Sequence, residues 1–137
     1  MPKLLLIFCT LMLTPYSIAS TSGMDEGPKL YFISPANGET LQSPVTVRFG
    51  LRNMGVAPAG SNIPNTGHHH LLIDTDLPAM DLPIGKDEQH VHFGGGQTET
   101  SIELSPGKHT MQLLLGNFSH IPQNPPVISK QITITVE

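Results

Sequence analysis

Seven histidines carry most of the chemistry available to this chain, and five of them lie between positions 68 and 92. They arrive as two short runs, "HHH" at 68–70 and "HVH" at 90–92. Residues i and i+2 of an extended strand share a face, with Cβ atoms about 6.5 Å apart. Two imidazoles leaning inward from that spacing can both reach one ion at about 2.0–2.1 Å. Alternation assigns the faces: Leu71 and Ile73 belong to a core and take His69 with them, leaving His68 and His70 opposite, beside Leu72. In the second run Val91 and Phe93 are the core pair, so His90 and His92 share the other face. If the two segments are neighbours, His68, His70, His90 and His92 form one patch suited to a copper or zinc ion. The ligand is neutral imidazole, so affinity is expected to fall below the ordinary histidine pKa of about 6.5.

Other candidates stand further out. His69 reads as a core histidine or as a group supporting the ligands. His109 and His120, each near a turn, are additional candidates to close the site, and Asp74 is a candidate to orient a histidine. Asp74, Asp76 and Asp81 lack the spacing and the glycine of an EF-hand. "GGGQ" at 94–97 precedes no lysine and no helix, so it is not a phosphate loop; it reads as a bend where backbone approaches closely. Met54, Met80 and Met111 are scattered and read as packing. No "GxSxG" elbow marks a nucleophile.

The elements that must hold these residues are strands. "SPVTVRFGL" alternates Val45, Val47, Phe49 and Leu51 against Thr46, Arg48 and Gly50, the period of a half-buried strand. Similar segments are "KLYFISP", "HHHLLID", "HVHF", "TETSIEL", "HTMQLLLG" and "VISKQITITV". Two long loops, 52–67 and 75–89, interrupt them. Thirteen prolines and thirteen glycines punctuate the chain too often for helix. The expected fold is all-β, an immunoglobulin-like β-sandwich of about seven antiparallel strands.

"MPKLLLIFCTLMLTPYSIAS" has the form of a targeting segment: Lys3, an apolar stretch from Leu4 to Leu13, and small residues at Ser17 and Ala19. We expect residues 1–19 to be a signal peptide, 20–28 a flexible leader and 29–137 one sandwich domain. Ten mostly apolar residues are too few to span a bilayer, which takes about 20. The mature protein is thus expected to be exported, periplasmic and soluble, without a transmembrane segment. Cleavage removes the single cysteine, Cys9, and with it thiolate chemistry. Loss of Lys3 leaves six basic against eleven acidic side chains, a net charge of −5. With no Lys/Arg cluster, nucleic acid is excluded as a partner.

"FISPANGETLQSPVTVRFGLRNMGVAPAG", "NTGHHHLLID", "HVHFGGGQTET" and "PGKHTMQLLLGNFSHIPQNPPV" resemble a family of small exported bacterial proteins classed as domain of unknown function 4399. The resemblance runs from about Leu30 to Val136. It implies a compact, exported, mostly β domain, and carries over His68, His69, His70, His90, His92, His109 and His120. Members often have another histidine where this chain has Gln123 and Asn124. No activity comes with the family.

The leading reading is an exported, non-catalytic metal-binding protein. The alternative is a sandwich that docks to another envelope protein without metal, its histidines answering to pH. An enzyme ranks third: three imidazoles and an open position suffice for a zinc-bound hydroxide, but nothing places Glu88, Glu99 or Glu103 beside them as acid or base.

Overall fold

A computed structural model describes residues 26–137 of the chain. The expected signal peptide, and the leader up to residue 25, lie outside the described residues. Among the described residues no helix is long and apolar enough to cross a membrane.

The structure is all-β, with strands β1 (Lys29–Ser34), β2 (Thr40–Leu41), β3 (Val45–Arg52), β4 (Gly55–Val56), β5 (Thr66–Ile73), β6 (His90–His92), β7 (Glu99–Ile102), β8 (Gly107–Gly116) and β9 (Ile132–Val136). They form a three-stranded sheet, β1-β3-β7, and a six-stranded sheet ordered β2-β9-β8-β5-β4, with β6 also paired to β5. β5 has β8 along one edge and, in succession along the other, β4 and β6. The two sheets face each other across one apolar core. β3 contributes Val45, Val47 and Phe49, while the larger sheet contributes Leu71, Ile73, Met111, Leu113, Leu115, Ile134 and Val136.

All seven segments read as strands from their alternation contain one. The structure adds β2 and β4, two residues each, which pair parallel with β9 and β5. The larger sheet is therefore mixed, where only antiparallel pairing was expected, while β1-β3-β7 is antiparallel throughout. The closing strand is also shorter than "VISKQITITV", beginning at Ile132. Ser129 explains this: its backbone N–H donates to the Leu113 carbonyl, and its Oγ accepts the Leu113 N–H at 2.8 Å. A side chain thus replaces one rung of the ladder and holds 127–131 beside β8 as an irregular strap.

β5 departs most from a half-exposed strand, since Gly67 to Ile73 are all buried. Its inner face packs on the sandwich core. Its outer face lies under the 75–89 loop and the strap, where Leu72 and Leu114 meet Ile84, Met80 and Ile128. A continuous buried run in an otherwise alternating protein reports this second cover.

Candidate metal centre

His68 and His70 project from β5 toward the covered outer face, on the side of Leu72, and both are fully buried. β6 runs antiparallel to β5 with His92 opposite His70 and His90 opposite Leu72. The rings of His68, His70 and His92 consequently gather, with centroids 4.9–5.1 Å apart. One ring nitrogen from each of the three lies within 4.8 Å of the others. The Nε2 atoms of His68 and His70 are 3.1 Å apart, close to the roughly 3.3 Å between two nitrogens bound to one tetrahedral ion. Buried Nε2 of His92 has no hydrogen-bond partner.

His120 supplies the fourth ring, 4.8 Å from His92 and 5.0 Å from His68, centroid to centroid. It reaches the nest from a tight turn organised by Asn117. The Asn117 Oδ1 accepts the N–H groups of Ser119 and Ile121, and the Asn117 carbonyl accepts that of His120. The turn sets His120 at φ 65°, a left-handed conformation uncommon for a side-chain-bearing residue. Its carbonyl in turn accepts the Ile84 N–H at 2.8 Å, fastening the 75–89 loop over the nest.

Two glycines make the room. A Cβ on Gly116, directly across from His68 in the ladder, would sit 2.9 Å from His70 Nε2 and 3.4 Å from His68 Nε2. A Cβ on Gly94 would fall 2.3 Å from Cε1 of His92. Of these, Gly94 belongs to the "GGGQ" segment already read as a close approach of backbone, whereas nothing local marks Gly116. Its role follows from register alone.

The remaining candidates sit elsewhere. His90 shares the face of His92 but lies one step along β6, where Asp87 Oδ1 contacts its Nδ1 at 2.8 Å and accepts its backbone N–H. His69 points into the sandwich core with its ring 5.1 Å from that of Phe49, and neither of its nitrogens has a hydrogen-bond partner. Asp74 and His109 pair with each other beyond the far end of β5. His109 Nδ1 lies 2.6 Å from Asp74 Oδ2 and its Nε2 lies 2.7 Å from the Ser105 carbonyl. Two acceptors on one ring favour the imidazolium, which donates from both nitrogens and has no lone pair for a metal.

Burial governs the titration of the nest. It pushes His68 down to about 4 and His70 down to about 3, helped by the neighbouring imidazoles. His92 is lowered first by burial, then by His120 and by the Lys86 ammonium. His69 falls to about 4 by burial, slightly opposed by the Gln97 backbone. His68, His69, His70 and His92 are thus neutral near pH 7, as ligation requires. The folded protein keeps His68 and His70 neutral well below the pH of 6.5 anticipated from sequence, because these two rings are fully buried.

His109 shifts the other way, raised first by Asp74 and then by the Ser105 carbonyl. A raised folded pKa gives stability that is complete below the unfolded value near 6.5 and is lost as pH rises through the folded value. His109→Gln should therefore cost about 1 kcal/mol at pH 6, kept small by the exposure of Asp74, and less at pH 9. Urea midpoints of both proteins at the two pH values check this; an equal difference at both would refute it.

No curated protein and no solved structure matches the chain. A family profile does, over residues 47–137, which include β5, β6 and all four rings of the nest. On that match, and on the motifs around its histidines, the chain belongs to the DUF4399 family, a domain of unknown function.

Proposed function

We propose that the protein is an exported, non-catalytic metal-binding protein that holds copper or zinc in the nest formed by His68, His70 and His92, with His120 beside them. The observation that carries this reading is the set of three ring nitrogens within 4.8 Å of one another, brought together by two paired strands. In the nest the Nε2 atoms of His68 and His70 have only each other as partners and the buried Nε2 of His92 has none; lone pairs left unused out of water are costly, and an ion would use them. Neutral nitrogen donors suit copper and zinc and suit magnesium or calcium poorly. Export rests on the N-terminal sequence, and places the site where metals arrive from outside the cell.

Catalysis is not part of the proposal. His90 and His109, the histidines paired with carboxylates, both stand outside the nest. Docking to an envelope protein remains the alternative role, recognised by a partner that is captured equally well in chelator.

The test is calorimetry of zinc and copper binding to chelator-stripped protein. His92 and His120 are partly exposed, so replacing both with alanine leaves the core intact. The double variant should bind on the order of 100-fold more weakly than the unsubstituted protein. Equal binding by the two would remove the nest as the site. A second readout is thermal: a ligand that binds only the folded state adds about 2.7 kcal/mol at one hundred times its Kd.

A further inference from the structure

The geometry points to a site of imposed tetrahedral shape, with His120 as fourth ligand, that handicaps Cu(II) relative to d10 ions such as Zn(II) and so narrows the usual lead of Cu(II). This goes one step past the metal-binding reading, on which it rests.

The separations of the rings decide the shape. An ion 2.0–2.1 Å from a ring nitrogen lies about 3.2 Å from that ring's centre. Four rings arranged tetrahedrally around it would have all centres about 5.2 Å apart. A square-planar set would show four separations of about 4.5 Å and two, across the diagonals, of about 6.4 Å. The observed separations are 4.8, 4.9, 5.0, 5.0 and 5.1 Å, with His70–His120 alone at 6.3 Å. If His70–His120 were one diagonal of a square, His68–His92 would be the other. That pair is 5.1 Å apart. The rings therefore outline a tetrahedron stretched along one edge.

The fold also resists flattening it. Three of the four rings stand on the hydrogen-bonded ladder of β5 and β6, with His70 and His92 in register. Against the Nε2 edges of His68 and His70 lies the Gly116 backbone, with no depth to spare: a single added carbon would already press on His70 Nε2. Driving His68 and His92 apart to a diagonal would shift β6 off β5. His120 is the one ring on a loop, it is the far end of the long edge, and its nitrogens lie outside the set within 4.8 Å of one another, so closing the tetrahedron requires the 117–121 turn to bring its ring about 1 Å nearer His70.

Ion preference follows. Cu(II) ordinarily outcompetes Zn(II) at nitrogen sites and prefers tetragonal geometry, whereas Zn(II) has no geometric preference from its d electrons. A nest that withholds a plane handicaps Cu(II) alone. Relative to free imidazole, the protein should narrow the preference for Cu(II) over Zn(II) by at least about tenfold.

Co(II) is the spectroscopic probe, because its visible ligand-field bands are intense when tetrahedral and faint when octahedral. Chelator-stripped protein titrated with Co(II) should show the intense bands. In His120→Ala, where water replaces one nitrogen, the bands should shift and Co(II) affinity should fall at least about tenfold. Circular dichroism establishes that the variant is folded. A faint octahedral spectrum, bands unchanged in His120→Ala, or a Cu(II) preference equal to that of imidazole would each overturn the inference while leaving metal binding intact. Failure of the unsubstituted protein to bind Co(II), Zn(II) or Cu(II) would instead overturn the metal-binding reading beneath it.

Discussion

Between pH 7.5 and pH 5.0 the ion-free protein should lose on the order of 5 kcal/mol of folding stability. His68, His69 and His70 are fully buried, and burial holds them at about 4, about 4 and about 3. In the unfolded chain they return to about 6.5. As pH falls below that value the unfolded chain takes up protons that the folded protein refuses, and each pH unit costs about 1.4 kcal/mol per residue. Three such residues, one and a half units below 6.5, cost about 2 kcal/mol each, less whatever their mutual repulsion in the unfolded chain returns. Against a total of 5–15 kcal/mol typical of small domains, this amounts to acid unfolding near pH 4–5. Urea denaturation followed by circular dichroism at the two pH values, in chelator, measures it directly. A midpoint that does not move would mean that the rings are hydrated.

Substitution of Gly94 by alanine should reduce ion affinity on the order of 100-fold while changing stability by less than about 1 kcal/mol. The added carbon would occupy the place of the His92 ring, 2.3 Å from Cε1 and 2.8 Å from Nε2. Because His92 is partly exposed, its ring can swing toward solvent, so the fold survives and the ligand is lost. Gly95→Ala is the control, since the atoms nearest its Cβ would belong to the flexible Gln97 side chain. Gly116→Ala should behave differently, costing about 1–3 kcal/mol as well as affinity, because the rings it presses upon have nowhere to go. Titration calorimetry alongside urea midpoints for the three variants separates these outcomes. Wild-type affinity in Gly94→Ala would show that His92 does not hold the ion.

Much of this was legible in the sequence because strand alternation is a local property. The inward set Val45, Val47 and Phe49, the split of His69 from His68 and His70, and the pairing of Val91 with Phe93 all follow from a period of two. Register is not local. His90 and His92 occupy the same face, and only the placement of His70 opposite His92 puts one of them in the nest and the other beside Asp87. Nor does periodicity reach His120, which gets its position from hydrogen bonds within a five-residue turn and from the Ile84 N–H. The parallel pairs β2/β9 and β4/β5 escaped for a related reason, since two residues are too few to show any alternation. Burial of both faces of β5 was written in its apolar and imidazole run, but the cover over its second face is loop, which carries no period.

Those two-residue strands have a consequence for how the larger sheet guards its margins. A long sheet margin offers rows of free amides and carbonyls on which foreign chains can align. In the larger sheet one margin ends in β2, only Thr40–Leu41. The opposite margin is shared by β4 and β6, with the Ala59 N–H bonded to the Gly94 carbonyl where the loops after them meet. Neither side presents a stretch straight and continuous enough to template edge-to-edge aggregation.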